Sequence, residues 1–231
     1  MLLGHETAWR EWREALGGER MHHAWLLAGR RGLGKASFAL AAARALVGAA
    51  VPLIHAGQGV LYAEATPELI ELAEMLDAPV VTTLLGKSGF PEDHPLSLGT
   101  AAGAITGPAS HFLRKADVVL AAGASLAKHA MSATIPGGKT FIQITNDEAD
   151  LNRNYAIDFP MLGDAKLVLR QLIEAVNDLG GAPKRTNTDV AGEIAAVRDE
   201  WMAHWLPKLT SKDAPINPYR LVWELQKAIP A

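Results

Sequence analysis

Short apolar runs alternate with helical patterns along most of the chain. Apolar runs predict strands over 24–28, 53–56, 79–84, 117–122 and 139–145. Helix-period patterns predict helices over 6–16, 35–47, 66–76, 107–115 and 164–179. Strands that are apolar throughout and alternate with helices are typical of parallel sheets covered on both faces. The pattern therefore predicts an α/β fold, a three-layer, doubly wound parallel sheet that is Rossmann-like.

Residue types at the ends of these segments support their bounds. Thr66 as N-cap with Pro67 at the first helical position predicts the start of the helix that ends near Leu76. A polar, turn-rich stretch over 180–190 predicts a linker, followed by a helix over 191–209 and a last helix from Asn217-Pro218. The core side of the helix over 164–179 is predicted to consist of Leu167, Leu169, Leu172, Ile173 and Val176.

The turns that follow the predicted strands form the first candidate site. In a doubly wound sheet, ligands bind at the carboxyl ends of the strands, so the turns at 57–59, 86–88, 123–125 and 146–147 should cluster on one rim. The candidate residues for a nucleotide at this rim are Gly57, Gly59, Gly123, Ser125 and Asp147. The glycines would admit a close backbone approach, and Asp147 could accept a hydrogen bond from a ribose hydroxyl. A purely structural role for these turns is the competing interpretation.

A second candidate site is the stretch GRRGLGKAS at 29–37. Gly29, Gly32, Gly34 and Lys35 match most of the phosphate loop, in which backbone amides and the lysine hold the phosphates of ATP. Ala36 stands where the loop needs the hydroxyl that binds magnesium, and the hydroxyl of Ser37 comes one position late. We therefore expect a degenerate loop, which either only turns the chain or binds a nucleotide without hydrolysing it.

Composition narrows the function classes. The 231 residues are 49% hydrophobic, carry a net charge of −3 and include no cysteine, which excludes disulfides, thiolate metal sites and a cysteine nucleophile. Neither a signal peptide nor the roughly 20 consecutive apolar residues of a spanning helix is present. We expect a cytoplasmic protein without nucleic-acid or membrane partners. No catalytic or metal-binding set is predicted, and His94 in the segment FPEDHPL is expected to lie in a hydrogen-bonded turn.

Residues 52–180 resemble the central domain of thiamine-diphosphate-dependent enzymes of the acetolactate synthase type. The resemblance is carried by PLIHAGQGVLYAEA, TTLLGKSGFPEDHPLSLGT, KADVVLAAGAS and FIQITNDEADLNRNY, in the order of the family, and INPYRLVWELQKAI resembles the beginning of its pyrophosphate-binding domain. It implies thiamine diphosphate and magnesium for the full-length enzyme, with FAD or ADP at the rim in some relatives.

In that family the cofactor lies between a pyrimidine-binding domain with a catalytic glutamate and a pyrophosphate-binding domain with a G-D-G motif. We find neither in this chain. We therefore expect a non-catalytic scaffold that is inactive alone and that partners with itself as a homo-oligomer or with the missing thiamine-enzyme domains.

Residues 1–48 resemble a different family, the N-terminus of the bacterial DNA polymerase III delta-prime clamp-loader subunit. The similarity rests on the Gly4-His5 start, on HHAWLLAG and on GLGK, in that order. The chain is therefore interpreted as a chimera with a clamp-loader-like fragment (1–48), a thiamine-enzyme central domain (52–180), a linker and helix (181–215) and a truncated start of the pyrophosphate-binding domain (216–231). A clamp-loader fragment remains an alternative function, and the strand at 24–28 could extend the edge of the sheet.

Overall fold

A computed structural model describes residues 35–182 and 189–229. The strands of this part are β1 (Pro52–Ala56), β2 (Val80–Thr82), β3 (Ser97–Thr100), β4 (Val118–Ala122), β5 (Thr140–Thr145) and β6 (Phe159–Leu162). The α-helices are α1 (Lys35–Gly48), α2 (Gln58–Tyr62), α3 (Thr66–Leu76), α4 (Gly107–Lys115), α5 (Ala165–Asp178), α6 (Val190–Leu209) and α7 (Pro218–Ala228). A single turn of 3₁₀ helix spans Glu148–Asp150.

These strands form one parallel sheet in the order β3-β2-β1-β4-β5-β6. From β1 the chain proceeds outward to β2 and β3, and it then returns to place β4 on the other side of β1. The strand order therefore reverses between β1 and β4, as in a doubly wound sheet. The predicted α/β fold class is confirmed.

The hydrophobic core lies between the sheet and the helices that cover it. Strands β1 and β4 are buried along their whole length, and their sequences are apolar except for His55 in β1. Helix α1 packs against α5, which also contacts α3, whereas α4 contacts β3 and α6. Ala42, Ala43 and Leu46 of α1 are fully buried in the core shared with the sheet. Helix α1 is thus an integral part of this fold, although it lies in the segment predicted as a clamp-loader-like fragment.

Several details of the sequence prediction need correction. Strands β3 and β6 were not predicted, because both form edges of the sheet and their sequences SLGT and FPML lack a continuous apolar pattern. Thr66 is the first helical residue rather than the N-cap of α3, and its hydroxyl donates to the carbonyl of Gly89 at 3.0 Å. Leu167 is 60% exposed and so lies outside the core, unlike the other four positions predicted for α5.

Some of the remaining local predictions are confirmed, and others fall on residues that the structure does not describe. Helices α4, α6 and α7 match their predicted segments, and the Asn217 side chain caps α7 by accepting from the N–H of Tyr219 at 3.0 Å. The predicted helix at 6–16 and strand at 24–28 lie outside the described residues. Among the described helices, none has both the length and the apolar character needed to cross a bilayer.

Candidate functional site

A cavity of about 540 Å³ opens at the carboxyl end of the sheet, where the strand order reverses. Its walls come from the segments that follow β1, β2, β4 and β5 and from the start of α5. Reversal of the strand order makes the loops after β1 and β4 run in opposite directions, which leaves a crevice between them. The volume falls within the range of roughly 300–1,000 Å³ that is usual for small-molecule sites. This cavity is the candidate functional site.

The two loops at the reversal are in direct backbone contact. The N–H of Gly57 donates to Ala122 O at 2.8 Å, and the N–H of Gly59 donates to Gly123 O at 2.9 Å. A Cβ atom on Gly57 would lie 2.2 Å from Gly123 O, and one on Gly59 would lie 2.8 Å from Gly123 Cα. Gly123 itself has φ +57°, in the left-handed region that favours glycine. The contact between the two loops therefore requires glycine at these positions. The close approach that the glycines permit is between two segments of this chain.

A buried histidine lies at the base of the cavity. His55 in β1 is only 6% exposed, and its Nδ1 has no hydrogen-bond partner in the part of the chain that the structure describes. Burial lowers the pKa of His55 from its ordinary 6.5 to about 4, so the imidazole is neutral at pH 7. A buried polar atom without a partner costs free energy unless a ligand or water satisfies it. Nδ1 of His55 is thus a buried hydrogen-bonding atom that no other described residue satisfies.

Gln143 in β5 shares the face of the sheet with His55. The register pairs His55 with Ala121 and Ala121 with Gln143, so the three residues form one row across β1, β4 and β5. Gln143 is completely buried. Its Nε2 donates to Ala124 O at 3.0 Å, whereas its Oε1 has no partner among the described residues. The small Ala121 side chain separates the two polar groups. This row puts two unsatisfied polar atoms beneath the rim of the sheet.

Carboxylates lie on the side of the cavity formed by β5 and α5. Asp150 Oδ2 accepts from Thr145 Oγ1 at 3.3 Å, and burial together with the charge of Asp147 raises the pKa of Asp150. Asp164 is the N-cap of α5, and its Oδ1 accepts from the N–H of Leu167 at 3.1 Å. Both Asp150 and Asp164 line the cavity. This wall therefore carries two carboxylates, of which Asp150 lies 3.7 Å from Arg153 Nη1 and Asp164 caps a helix.

The mouth of the cavity is apolar. Tyr62, Leu84, Leu85 and Met131 line it and are all exposed, Tyr62 to 79%. Gln58 Nε2 donates to the Tyr62 hydroxyl, which holds the ring near the N-terminal end of α2. Exposed apolar groups around a cavity with a polar base are typical of a ligand-binding cleft.

The structure brings together some of the residues predicted from the sequence and not others. Gly57, Gly59, Gly123 and Ser125 line the cavity, but Asp147 does not: its Oδ1 accepts from the N–H of Ala149 at 3.0 Å, within its own turn. Gly29, Gly32 and Gly34 lie outside the described residues, as does the side chain of Lys35, whose backbone begins α1. Nucleotide binding at either site therefore stays a prediction.

His94 has only local partners. Its Nε2 lies 3.2 Å from Glu74 Oε1, and its Nδ1 accepts from the N–H of Leu96 at 3.1 Å. The predicted hydrogen-bonded turn is confirmed. The described residues hold no group of three or more His, Asp or Glu side chains that could bind a metal ion.

Sequence reasoning missed His55, Gln143, Tyr62 and Asp164. A usable signal existed for the first two, because PLIHA and TFIQIT each place one polar residue inside a strand that is otherwise predicted to be buried. A polar residue in such a strand needs a partner. Asp164 carried no such signal, because an N-cap aspartate is common on structural grounds alone.

The sequence comparisons with known proteins agree with one another. The sequence model of the family described as "Thiamine pyrophosphate enzyme, central domain" matches residues 40–172. The "Probable acetolactate synthase large subunit" of Methanococcus aeolicus is 34% identical over 184 residues, which are 77% of this chain and 30% of that protein. The sulfoacetaldehyde acetyltransferase of Castellaniella defragrans is 31% identical over 221 residues, covering 87% of this chain and 37% of that protein.

The comparison with solved structures agrees with the sequence comparisons. A thiamin diphosphate-dependent enzyme from Mycobacterium smegmatis superposes with a TM-score of 0.53 at 26% identity, covering 66% of this chain and 29% of that one. The matched part of this chain covers 29–37% of the length of these three proteins. The family match begins at residue 40, within α1, so it includes most of the helix that packs on α5.

Proposed function

Because the chain belongs to the thiamine pyrophosphate enzyme family, whose central domain it contains, we propose that it acts as the scaffold domain of an acetolactate synthase-type enzyme and performs no chemistry of its own. The observation that carries the proposal is the single core that joins α1, the parallel sheet and α5 across the residues matched by the family. A scaffold needs such a continuous core more than it needs a reactive site.

The chemistry of the described residues agrees with this role. The family implies thiamine diphosphate for the full-length enzymes. Magnesium binds through oxygen ligands such as carboxylates, and its diphosphate ligand is usually held by cationic side chains or free backbone amides. Among the described residues, no group of three or more His, Asp or Glu side chains could hold a metal ion, and no lysine or arginine lines the rim cavity to hold a diphosphate. These residues therefore do not fit thiamine diphosphate with magnesium.

Helix α7 supports the part of the proposal that concerns partners. None of its residues is buried, and it exposes Leu221, Val222 and Leu225. We propose that these side chains pack against complementary thiamine-enzyme domains, supplied by another part of the enzyme or by another subunit. A cytoplasmic location belongs to the same proposal, and cell fractionation tests it.

Co-expression tests the scaffold role. The 231-residue chain is produced alone and together with a tagged pyrimidine-binding and pyrophosphate-binding pair from an acetolactate synthase. We expect the chain alone to melt cooperatively and to leave pyruvate unconsumed in the presence of thiamine diphosphate and magnesium, and we expect it to co-purify with the pair. Pyruvate consumption by the chain alone, or failure to co-purify, would contradict the proposal.

A matched pair of variants locates the contact. Val222→Glu lowers the net charge by one on the apolar side of α7, whereas Lys227→Gln lowers it by the same amount on the opposite side of this helix. Val222→Glu should reduce co-purification at least about tenfold, as expected for a buried charge at an interface core, and Lys227→Gln should leave it unchanged. Equal effects of the two variants would argue against α7 as the contact.

A further inference from the structure

The two edge strands of the sheet, β3 and β6, differ in whether other parts of the chain cover them. At the β3 edge, Ser97 O accepts from Arg198 Nη2 of α6 at 2.6 Å, and Leu98 O accepts from Thr106 Oγ1 at 2.7 Å. Covering an edge in this way prevents another strand from adding to it. The β3 edge is therefore closed by segments that the structure describes.

The β6 edge, in contrast, has open backbone groups. The N–H of Gly163 donates to Thr145 O of β5 at 2.8 Å, and in a parallel strand the N–H and C=O of every second residue point to the same neighbour. Odd-numbered residues of β6 therefore face β5, and even-numbered residues face away. The N–H and C=O of Leu162 and the C=O of Pro160 thus point outward, and they have no hydrogen-bond partner among the described residues. Since proline has no N–H, this edge offers one donor and two acceptors.

Helix α1 determines where the preceding part of the chain meets the sheet. Helix α5 contacts both α1 and α3, so these three helices cover the same face of the sheet, with α5 in the middle. Three residues join the end of α1 at Gly48 to β1, so this end of the helix lies near the amino ends of the strands. With 14 residues, α1 is about 21 Å long. Its first turn therefore lies toward the carboxyl ends of the strands, where a parallel strand before it would end.

The handedness of crossover connections selects one edge for a strand that precedes α1. Connections between parallel strands are right-handed in about 98% of cases. From β1 the chain crosses through α3 to β2 and so moves toward the β3 edge. Because α1 covers the same face as α3, a strand before α1 must reach β1 by a move in the same direction, from the side of β4, β5 and β6. Since β4 and β5 have a neighbour on each side, the free position among the described strands is beyond β6.

The segment AWLLA at 24–28 meets the requirements of such a strand. It is apolar throughout, as is typical of a strand in a parallel sheet, and six residues, 29–34, separate it from α1. Loops of two to six residues are usual between a strand and the following helix. Four strand spacings, about 19 Å in total, separate a position beyond β6 from β1. A loop of six residues spans about 20 Å when extended, so the connection is long enough.

We propose that residues 24–28 pair with β6 in parallel, as a seventh strand that closes the open edge of the sheet. The outward groups of Pro160 and Leu162 would supply the hydrogen bonds from the side of β6. This inference goes beyond the scaffold role and does not depend on it, because it concerns the edge of the sheet and not the contact that α7 makes.

A second copy of the chain is the competing occupant of this edge. In a pair of two β6 strands, acceptors would outnumber donors on both sides, because Pro160 lacks an N–H in each copy. Residues 24–28 contain no proline, so each of them offers both a donor and an acceptor. The balance of donors and acceptors therefore favours the segment of the same chain.

Thiol cross-linking of the full chain tests the pairing, since the sequence contains no cysteine of its own. Five double variants combine Leu162→Cys with a single cysteine substitution at each position from 24 to 28. They are treated at low protein concentration with dibromobimane, a short reagent that links two neighbouring thiols, and mass spectrometry of the digested protein locates the link. We expect efficient linking at the position opposite Leu162 and at least about tenfold less at the positions directly before and after it, because successive side chains of a strand point to opposite faces.

A matched series with Thr100→Cys in place of Leu162→Cys is the control. Thr100 is the last residue of β3, as Leu162 is the last residue of β6, so the series examines the same position on the opposite edge. We expect no link in this series. A link to position 100, equal linking at all five positions, links only between two molecules, or no link in either series would each overturn the proposal.

Hydrogen exchange of the unmodified chain gives a measurement that does not depend on the folding of any variant. The amide of Leu162, which has no acceptor among the described residues, should exchange at least about tenfold more slowly than a free peptide amide if residues 24–28 provide one. Exchange of this amide at the free-peptide rate would contradict the pairing. Co-purification with partner domains does not depend on this edge, so either result leaves the scaffold role to its own test.

Discussion

Gly57 is the position at which the packing of the rim can be tested most sharply, through Gly57→Ala. The Cβ of the alanine would lie 2.2 Å from Gly123 O and 2.6 Å from Ala124 Cα, so one of the two rim loops must retreat by about 1 Å to reach ordinary contact. Gly57 has φ −102°, which alanine adopts freely. The expected loss of stability therefore comes from steric overlap and not from backbone strain.

The expected magnitude follows from what the retreat breaks. Overpacking costs about 1–3 kcal/mol. Separating the loops also weakens the hydrogen bonds from Gly57 to Ala122 and from Gly59 to Gly123, each of which contributes about 1 kcal/mol. The free energy of unfolding should fall by about 2–4 kcal/mol, which corresponds to a melting temperature lower by roughly 4–16 °C for a domain of this size.

Urea denaturation and thermal melting of Gly57→Ala and Gly137→Ala measure this effect. Gly137 is the matched control, because a Cβ there meets no atom within 4 Å and its φ is not in the left-handed region. We expect the control to stay within about 0.5 kcal/mol of the unmodified chain. If Gly57→Ala were equally neutral, the close contact between the loops would be wrong, and with it the explanation of the glycines.

Three further predictions concern buried or partly buried charges. Lowering the pH from 6.5 to 4 should reduce the free energy of unfolding by about 3 kcal/mol through His55, because the unfolded chain binds the proton at a pKa of 6.5 and the folded chain only at about 4. Urea titrations of His55→Gln should lack this pH-dependent loss. Asp117→Asn should lower stability by about 1–2 kcal/mol at pH 7, because it leaves one of two backbone N–H donors, each at 2.8 Å, without its acceptor. Burial acts to raise the pKa of Asp117, but these backbone hydrogen bonds lower it overall, so the difference from the unmodified chain should shrink as the pH falls through that lowered pKa. Arg170→Met should cost about 2 kcal/mol by leaving the buried Glu68 carboxylate without its ion pair, and thermal melts of the double variant with Glu68→Gln should recover part of that loss.

The centre of the sheet could be predicted from the sequence because burial on both faces leaves a simple signature. Strand β4 is apolar throughout, β1 and β5 combine apolar and β-branched residues with a few polar ones, and the order of these strands with the intervening helices predicted the fold class and the rim. Edge strands β3 and β6 escaped prediction because only part of each is buried, so SLGT and FPML had no reason to be uniformly apolar. Pattern alone thus predicts the parts of a sheet that water does not reach.

The chemistry of the site was less predictable, because it depends on contacts between distant segments. Gly57 and Gly123 were predicted to admit a nucleotide close to the backbone, yet their amides donate to strand-end carbonyls. Asp147 was predicted to accept from a ribose hydroxyl, yet it caps its own turn. A residue type constrains what a side chain can bind, whereas the partner it actually has is decided by neighbours that a linear pattern does not identify.

The aspartate at the start of α5 has a consequence for how this cavity can change during evolution. Aspartate, asparagine, serine and threonine cap helices with similar effectiveness, so Asp164 could be replaced by any of the other three with little loss of helix stability. A single codon change from aspartate to asparagine would remove one of the two carboxylates from the wall. The charge of the cavity wall and the stability of the fold are therefore separable at this position, and related chains could differ in the first while keeping the same scaffold.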